Sequence, residues 1–399
     1  MTGSAMLSIV AIDALIFCFV FIAAAYSIAA AMAMPRFERR IAKQPENEID
    51  EQSVSVLKPL CGAEPRLFEN LATFCEQSHR EFELICSVAS SSDAAIGTVR
   101  RLQATYTKCA IRLVVDSRVH GRNLKVSNLI NAAQHARHDI IVVADSDIAV
   151  TPHYLRTVTA PLADPTAGVV TCLYRAAPVA GFWSRVGSLF INEWFAPSVR
   201  VAHGGGSRRY GFGATLALTR ATLDAIGGFH ALKDCLADDY YLAEYPRRLG
   251  LRTVLAPMIV GTDVAEPSLS ALWQRETRWL RTIRSINPAG FAFLFITFTL
   301  PWMAAGAAIA LSNWPSPLAV PLLVASCAGL AARIALHARE SRHARSFWRD
   351  LALVPLRDAL LALEWLAAVF GSRVVWRGVH LSVERGVLPR TAGSMPSRR

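Results

Sequence analysis

Apolar and polar positions divide the chain into an alternating middle and a long apolar segment towards each end. Between residues 53 and 290, short β-branched runs alternate with segments whose apolar residues recur every three or four positions. This alternation predicts strands joined by crossover helices, and therefore an α/β fold with a mostly parallel sheet. The predicted strands are 54–57, 82–88, 111–115, 139–144, 168–174 and 216–218, and the predicted helices are 67–77, 96–106, 125–136, 152–162, 222–226, 234–249 and 273–284.

The strand at 139–144 ends abruptly at Asp145-Ser146-Asp147. Its uninterrupted apolar run is typical of a strand that is buried on both faces. Ligands of open α/β sheets bind beyond the carboxyl ends of the strands, so Asp145 and Asp147 are candidate ligands of one hard divalent cation. An isolated D-x-D pattern more often caps a turn or a helix, and the interpretation depends on the rest of the chain.

The apolar stretch at residues 6–34 is long enough to span a bilayer. Basic residues follow it, between positions 36 and 43, whereas a cleaved signal peptide has its basic residues before a shorter apolar core. We therefore expect a retained anchor over 1–35, a linker over 36–52, and a cytoplasmic domain after it by the positive-inside rule.

The apolar segments after residue 290 predict a membrane hairpin, formed by Phe291–Leu311 and Pro317–Leu336. Leu351–Phe370 is also apolar but contains three ionisable residues. Because such groups are costly at membrane depth and normally face a protein interior, a re-entrant or interfacial segment is favoured over a clean span. The ionisable residues are Arg357, Asp358 and Glu364, and a basic tail follows over 371–399.

Composition indicates a mixed membrane and globular protein. Of 399 residues, 53% are hydrophobic, the mean hydropathy is +0.31 and the net charge is +11. The basic residues cluster beside apolar runs, at 36–43 and 333–349, which favours an anionic membrane surface over nucleic acid as a partner.

Eight cysteines without C-x-x-C or zinc spacing predict reduced thiols. The G-x-G-x-x-G and Walker A patterns are missing, which excludes those phosphate-binding loops.

Three other patterns each allow two interpretations. Asp238 and Asp239 open a predicted helix, where capping alone would explain them. A stripe of arginines with one tryptophan is either a solvated helix face or an anion-binding surface beside the membrane. The aromatic region 182–201 either packs in the core or lies against lipid. The stripe consists of Arg275, Arg278, Arg281 and Trp279, and the aromatic region includes Trp194.

Five motifs in this order resemble the signature of processive-type GT-A glycosyltransferases. They are Asp93 after a strand, 121–128 before a helix, 145–147, 237–240 and 275–279. The runs 55–60, 121–129 and 376–378 are similar, more closely, to the ceramide glucosyltransferase family, also called family 21. Four further runs, 119–121, 162–165, 190–195 and 211–215, resemble its bacterial branch associated with hopanoid biosynthesis. The resemblance covers about residues 53–290 strongly and the C-terminal membrane part loosely, and it departs at 90–93, where a single acid remains.

The resemblance implies a UDP-sugar donor, a divalent cation (Mg²⁺ or Mn²⁺) and a role for each matched residue. Asp93 would contact the uridine, and Lys125 the nucleotide or its diphosphate. Asp145 and Asp147 would hold the cation, and Asp145 would also bind the nucleotide sugar. Asp239 would be the general base, oriented by Asp238. Arg275 and Arg278 would clamp the diphosphate or position the acceptor, and Trp279, Gly213 and Trp194 would lie on the acceptor side.

The implied activity is an inverting transfer of one sugar to the hydroxyl of a membrane lipid. The bacterial branch implies UDP-N-acetylglucosamine and a hopanoid, bacteriohopanetetrol, and the alternative is a ceramide glucosyltransferase that uses UDP-glucose. Such an enzyme would be a multi-pass protein of the inner membrane with its catalytic domain in the cytoplasm. A non-catalytic module that binds a lipid or a partner is the competing class. A polymerising synthase normally needs more spanning helices.

Overall fold

A computed structural model of the chain describes residues 3–42, 52–341, 343–371, 373–376 and 379–382. The helices are α1 (Gly3–Ala42), α2 (Leu67–Cys75), α3 (Ala95–Thr105), α4 (Leu124–Ala133), α5 (Tyr154–Thr159), α6 (Phe182–Phe190), α7 (Ala196–Gly204), α8 (Arg220–Ala225), α9 (Asp238–Arg248), α10 (Leu269–Ile286), α11 (Pro288–Phe293), α12 (Thr299–Ser312), α13 (Ala319–Glu340), α14 (Ala344–Leu351) and α15 (Leu353–Phe370). The strands are β1 (Val54–Pro59), β2 (Phe82–Val88), β3 (Ala110–Val115), β4 (Ile140–Val143), β5 (Ile148–Ala149), β6 (Ala167–Pro178), β7 (Leu216–Thr219), β8 (Arg252–Val264), β9 (Arg373–Trp376) and β10 (Val379–Ser382). Short 3₁₀ turns occupy Ala160–Ala163, Phe229–Leu232 and Leu294–Thr297, and a π-helical turn occupies Ile191–Phe195.

One eight-stranded sheet organises the middle of the chain, in the order β3-β2-β1-β4-β7-β6-β8-β5. The first four strands are parallel, β7 is antiparallel to both of its neighbours, and β6 is parallel to β8. The predicted α/β fold with a mostly parallel sheet is therefore confirmed. Because β1 pairs in parallel with β2 and β4, the carboxyl ends of these three strands meet at one edge.

The core lies on both faces of the sheet. Successive side chains of a strand point to opposite faces, and β1, β2 and β4 accordingly feed two apolar clusters. One cluster contains Val56, Leu84 and Val142, and the other contains Leu57, Ile85 and Val143. Each β4 residue is at most 2% exposed, as expected for a strand that is buried on both faces.

The long strand β8 was missing from the sequence prediction. Pro257 and Gly261 interrupt its apolar run, and both residue types argue against a strand. In the structure, β8 accommodates Pro257 at an irregularity in its pairing with β6, where Thr171 pairs with Leu255 and Leu173 pairs with Ile259. Between these two pairs β8 has more residues than β6, and the additional β8 residues form a bulge. Pro257 lies in this bulge, so the ladder does not need an N–H from it.

Two described helices are long and apolar enough to cross a membrane, Leu15–Met34 within α1 and all of α13. The stretch 291–311, predicted as one span, forms two helical pieces that meet at 54°, Pro288–Thr297 and Thr299–Ser312, which together are apolar and long enough to be one broken span. Pro301 lies in the first turn of the second piece, where its ring prevents the helix from continuing upstream.

Helix α1 extends into the predicted linker as far as Ala42. The rest of that linker and most of the basic tail lie outside the described residues.

The ionisable residues of the 351–370 segment face the protein interior, as predicted. Arg333 of α13 donates to Glu193 at 2.6 Å and to Asp358 of α15 at 3.0 Å. Glu193 belongs to the π-helical turn, so this ion cluster joins the aromatic region to two C-terminal helices. Phe190 and Trp194 of that region pack in an apolar cluster with α10 and α15, which favours the core interpretation of 182–201.

Replacing Arg333 with Met should lower the melting temperature of the purified protein in detergent. The substitution leaves Asp358 buried without its cation and leaves Glu193 with His337 as its remaining partner, and breaking a buried ion pair costs about 3–5 kcal/mol. The matched control is Arg252→Met, which removes the exposed pair of Arg252 with Asp164 and should cost at most about 1 kcal/mol. Equal melting temperatures for the two variants would contradict a structural role for the Arg333 cluster.

Candidate active site

Asp145 lies at the carboxyl end of β4 and is held by two lysines. The Lys58 ammonium donates to the main-chain carbonyl of Asp145, and Lys125 Nζ lies 2.6 Å from Asp145 Oδ1. Lys58 is completely buried over the Phe74 ring, 3.9 Å from its centroid. Burial lowers the pKa of Lys58 to about 8, against the attraction of Asp147. Sequence reasoning missed Lys58 as a site residue, and its signal was a lysine within an apolar strand.

Lys125, from the first turn of α4, joins Asp145 to the second acidic pair. Its Nζ is 3.5 Å from Asp238 Oδ2. Burial alone would lower the pKa of Lys125, but attraction by Asp145 and Asp238 outweighs burial and raises it. Asn123 caps α4 by accepting from Val126 N and donates to Asp238 at 3.1 Å. Two segments that are about a hundred residues apart thus meet at one ammonium group.

Asp239 is half-buried beside Gly213. Its Oδ2 accepts from the Gly213 amide at 3.1 Å and its Oδ1 from the Tyr240 amide at 2.8 Å. Burial first, and then repulsion by Asp238, raise the pKa of Asp239 to about 6. The two acids bond to the strand-end loops, and α9 has no side-chain cap. Asp239 accepts from a first-turn amide of α9, as a capping acid does, but it also accepts from Gly213, and Asp238 accepts from Asn123, so capping alone does not account for the pair. Asp239 has the basicity expected of a proton acceptor near neutral pH.

Asp147 is oriented by β8. Its Oδ2 accepts from Thr262 Oγ1 at 2.8 Å. Burial and repulsion by Asp145 raise its pKa to about 7. No group of three or more potential metal ligands occurs among the described residues. Two carboxylates nevertheless fit a hard cation, because Mg²⁺ commonly takes one or two protein carboxylates and completes its shell with water and substrate phosphates.

Asp93, in the loop between β2 and α3, anchors the loop that follows β1. Both of its carboxylate oxygens accept from the Gly62 amide, at 2.9 and 3.2 Å, and Oδ1 also accepts from Ala95 N. The structure therefore places Asp93 at the same edge as Asp145 and gives it a structural role. Its predicted contact with uridine stays a prediction.

The arginine stripe of α10 is not a solvated face. Arg275 is only 14% exposed and pairs with Glu266 at 2.7 Å and Glu276 at 3.2 Å. Within the described part of the chain, the Arg278 guanidinium has no hydrogen bond or ion pair. Burial and then Arg275 lower its pKa, while Asp239, Asp238 and Asp145 oppose that shift. Arg278, rather than Arg275, is thus the cation available to an anionic ligand.

The two predicted acceptor-side tryptophans belong to one aromatic cluster. Phe190 lies 4.8 Å from Trp194 and 5.8 Å from Trp279 between ring centroids. Trp194 is 7% exposed, and its indole N–H donates to Thr297 Oγ1 at 2.8 Å. Packing accounts for Trp194 completely, whereas Trp279 is only partly buried beside Arg275. Acceptor binding by either residue stays a prediction.

Helix α10 is fixed to the C-terminal helix by a buried ion pair. Glu276, fully buried, accepts from Arg357 Nη1 of α15 at 2.6 Å, and Arg357 also donates to Glu364. Glu276 lies between Arg275 and Arg278 in the chain. The position of Arg278 therefore depends on a segment outside the sheet, which no local sequence pattern indicated.

The sequence profile of glycosyl transferase family 21 matches residues 17–388. The chain belongs to this family. Ceramide glucosyltransferase 1 of Caenorhabditis elegans is 25% identical over 236 residues, which are 59% of this chain and 50% of that protein. Ceramide glucosyltransferase of Pyricularia oryzae is 30% identical over 118 residues, 26% of this chain and 24% of the relative. This family 21 chain thus spans at most half the length of these two relatives.

The fold also resembles a solved structure, the mannosyltransferase PcManGT from Pyrobaculum calidifontis in complex with GDP-Man and Mn²⁺. The TM-score is 0.47 and the sequences are 22% identical, over 88% of this chain and 99% of that one. The family assignment rests on the sequence profile. The predicted membership in family 21 is confirmed, while the branch within the family is not resolved by these relatives.

Replacing Gly213 with Ala should displace the Asp145 carboxylate. A Cβ at this position would lie 2.7 Å from Asp145 Oδ2 and 3.3 Å from Lys125 Nζ. We expect weaker binding of UDP by isothermal titration calorimetry, with the melting temperature nearly unchanged. Gly97→Ala is the matched control, because nothing lies within 4 Å of its Cβ position. Equal UDP affinity in the two variants would show that Gly213 does not shape the site.

The activity of the protein should fall as the pH decreases through about 6. Protonation of Asp239, whose pKa is raised to about 6, removes the proton acceptor, so the active form predominates above that pH. Measuring kcat/KM between about pH 5 and 8 checks the position of this limb. Lys125→Met should move it to higher pH, because Lys125 opposes the rise in the pKa of Asp239. A profile that stays flat down to about pH 5 would exclude Asp239 as the titrating base.

Proposed function

We propose that this chain transfers a single sugar from a UDP-sugar to the hydroxyl of a membrane lipid, with inversion at the anomeric carbon. The observation that carries the proposal is the half-buried Asp239 carboxylate, with its pKa raised to about 6, beside the Lys125–Asp145 pair at the strand ends. Membership in family 21 supports the same reaction class. An inverting transfer needs one base and an activated leaving group.

The donor would lie across the ends of β1, β2 and β4. Lys125 and Arg278 would bind the diphosphate, since they bring positive charge to the side of the site where Asp145 and Asp239 lie. Asp93 would meet the uridine through the loop that it anchors. Arg275 would act through Arg278, because its own charge is already paired with Glu266.

Asp145 and Asp147 would hold Mg²⁺ or Mn²⁺ on the diphosphate. When bound, the cation supplies positive charge that neutralises the leaving UDP. Lys58 would keep the backbone of Asp145 in place beneath this position. The buried Thr262 contact would fix the orientation of Asp147.

Asp239 would accept the proton of the acceptor hydroxyl at its carboxylate. Burial and Asp238 disfavour the ionised form of Asp239, and Lys125 favours it, so the balance of these effects would set a basicity suited to neutral pH. Asn123 and Lys125 would hold Asp238 and, with it, the start of α9. Trp279 would border the acceptor on the side of the apolar helices.

Ceramide as the acceptor and glucose as the transferred sugar are the pair that the names of the relatives favour, and UDP-glucose would be the matching donor. Bacteriohopanetetrol with UDP-N-acetylglucosamine, which the runs resembling the bacterial branch favoured, is the second candidate. The apolar helices Leu15–Met34 and α13 suit a multi-pass membrane protein. The basic clusters beside them favour the inner membrane with the catalytic domain in the cytoplasm.

The test incubates the purified full chain with radiolabelled UDP-glucose or UDP-N-acetylglucosamine and either ceramide or bacteriohopanetetrol. We expect a monoglycosylated lipid, with glucosylceramide favoured. Asp239→Asn should lower turnover at least about a hundredfold, the usual scale for loss of a general base, while UDP binding is retained. The conservative Asp234→Asn, at an acid outside the site, is the matched control.

A polymeric product would indicate a synthase. Binding of UDP without any lipid product in the four combinations would favour the non-catalytic module. Near-normal turnover of Asp239→Asn would remove Asp239 from its proposed role, whatever the acceptor.

A further inference from the structure

Tyr174 of β6 lies level with Asp145 in the sheet. Val143 of β4 pairs with Leu216 of β7, and Leu216 pairs with Thr171 of β6. Because β7 is antiparallel to both of these neighbours, β4 and β6 run in the same direction. Asp145 follows Val143 by two residues, and Tyr174 follows Thr171 by three. At about 3.3 Å per residue, Asp145 and Tyr174 therefore lie at nearly the same level along the strand direction.

The Tyr174 side chain is on the face of the sheet where Asp147 is held. Tyr174 pairs with Val260 of β8 and, two positions further on, Ala176 pairs with Thr262. Side chains two residues apart on a strand share a face, so Tyr174 and Thr262 point to the same side. Thr262 donates to Asp147 Oδ2 at 2.8 Å. The phenol and this carboxylate therefore belong to one surface.

The ring of Tyr174 is fixed by packing, whereas its hydroxyl has no partner. The ring centroid lies 5.0 Å from that of Phe195 and 6.2 Å from that of Phe212. Phe212 directly precedes Gly213, whose amide donates to Asp239. Tyr174 is half-buried, and among the described residues nothing forms a hydrogen bond with its hydroxyl. Burial first, and then Asp239, raise the pKa of Tyr174, so the phenol stays protonated and able to donate.

Tyr174 also joins the acidic edge to the apolar side of the site. It borders the apolar cluster that contains Phe190 and Trp194, and Trp279 borders the same cluster. That cluster includes residues of α10, α11 and α15. A lipid that approaches from these helices must bring its hydroxyl across the boundary to reach Asp239. Tyr174 stands at this boundary with an unused hydrogen-bond donor.

We propose that the Tyr174 hydroxyl binds the hydroxyl of the lipid acceptor and holds it towards Asp239. This inference rests on the proposed lipid glycosylation and adds a residue that contacts the acceptor. Tyr174 donates to one lone pair of the acceptor oxygen, and the other lone pair forms the bond to the anomeric carbon. The acceptor proton passes to Asp239, and UDP leaves with the electron pair of the broken bond. Tyr174 loses no proton, so its contribution is orientation.

The test uses Tyr174→Phe in the full chain in detergent, which removes the hydroxyl and keeps the ring in its aromatic contacts. Binding of radiolabelled ceramide and bacteriohopanetetrol is measured in the presence of UDP, and the KM values for acceptor and donor are determined separately. We expect the acceptor affinity to fall and the acceptor KM to rise, each by about tenfold, the upper scale for one neutral hydrogen bond. UDP affinity, donor KM and melting temperature should not change, because the hydroxyl has no partner in the described part of the protein.

Tyr106→Phe is the matched control. Tyr106 is also half-buried, but its hydroxyl donates to Glu76, and it lies before the start of β3, at the opposite end of the sheet. Acceptor affinity and KM should keep their wild-type values in this variant.

Wild-type acceptor affinity and KM in Tyr174→Phe would overturn the inference. A change in donor KM instead would also overturn it, since the hydroxyl would then contact the sugar. Acceptor binding needs no turnover, so a wild-type chain that binds a lipid but forms no product would refute the proposed function alone. A wild-type chain that binds neither lipid would overturn both.

Discussion

The acidic strand ends depend on two lysines, of which Lys58 is buried and Lys125 is largely buried. Lys58 binds the backbone of Asp145, and Lys125 binds its carboxylate while approaching Asp238. Carboxylates buried without such partners would be strongly destabilised, because removing an ion from water costs several kcal/mol. With both lysines in place, Asp147 and Asp239 keep pKa values of about 7 and 6. The site is therefore close to charge balance before any ligand arrives, and it remains able to exchange protons near neutral pH.

A second constraint comes from the C-terminal helices. Glu276 and Arg357 are 81 residues apart and form a buried pair between α10 and α15. Arg278, two positions after Glu276, faces the acids as a consequence. The same helix carries Trp279, which packs against Phe190. Arg278 and Trp279 are thus positioned by the C-terminal helices, while the acids are positioned by the sheet. The proposed transfer from a charged nucleotide sugar to a lipid needs a cation and an apolar surface at one place.

Local patterns predicted most elements, and the exceptions have physical causes. The run 140–144 indicated a buried strand because nothing polar interrupts it. Strand β8 was missed since Pro257 breaks its pattern, and only the bulge against β6 makes the proline tolerable. The stretch 291–311 was predicted as one span because it is apolar throughout. Apolarity alone does not indicate the 54° bend that precedes Pro301. Apolar periodicity therefore located the elements better than it located their breaks.

The sequence by itself determined the α/β class, the strand end that carries Asp145 and Asp147, the two apolar helices and membership in family 21. These features follow from residues close together in the chain, or from short motifs in a recognisable order. Only the tertiary structure decided that Lys58 belongs to the site, that Arg275 is already paired while Arg278 is not, and that Trp194 is held by packing. Charge pairing and burial join residues that are far apart in sequence, so no local pattern contains them.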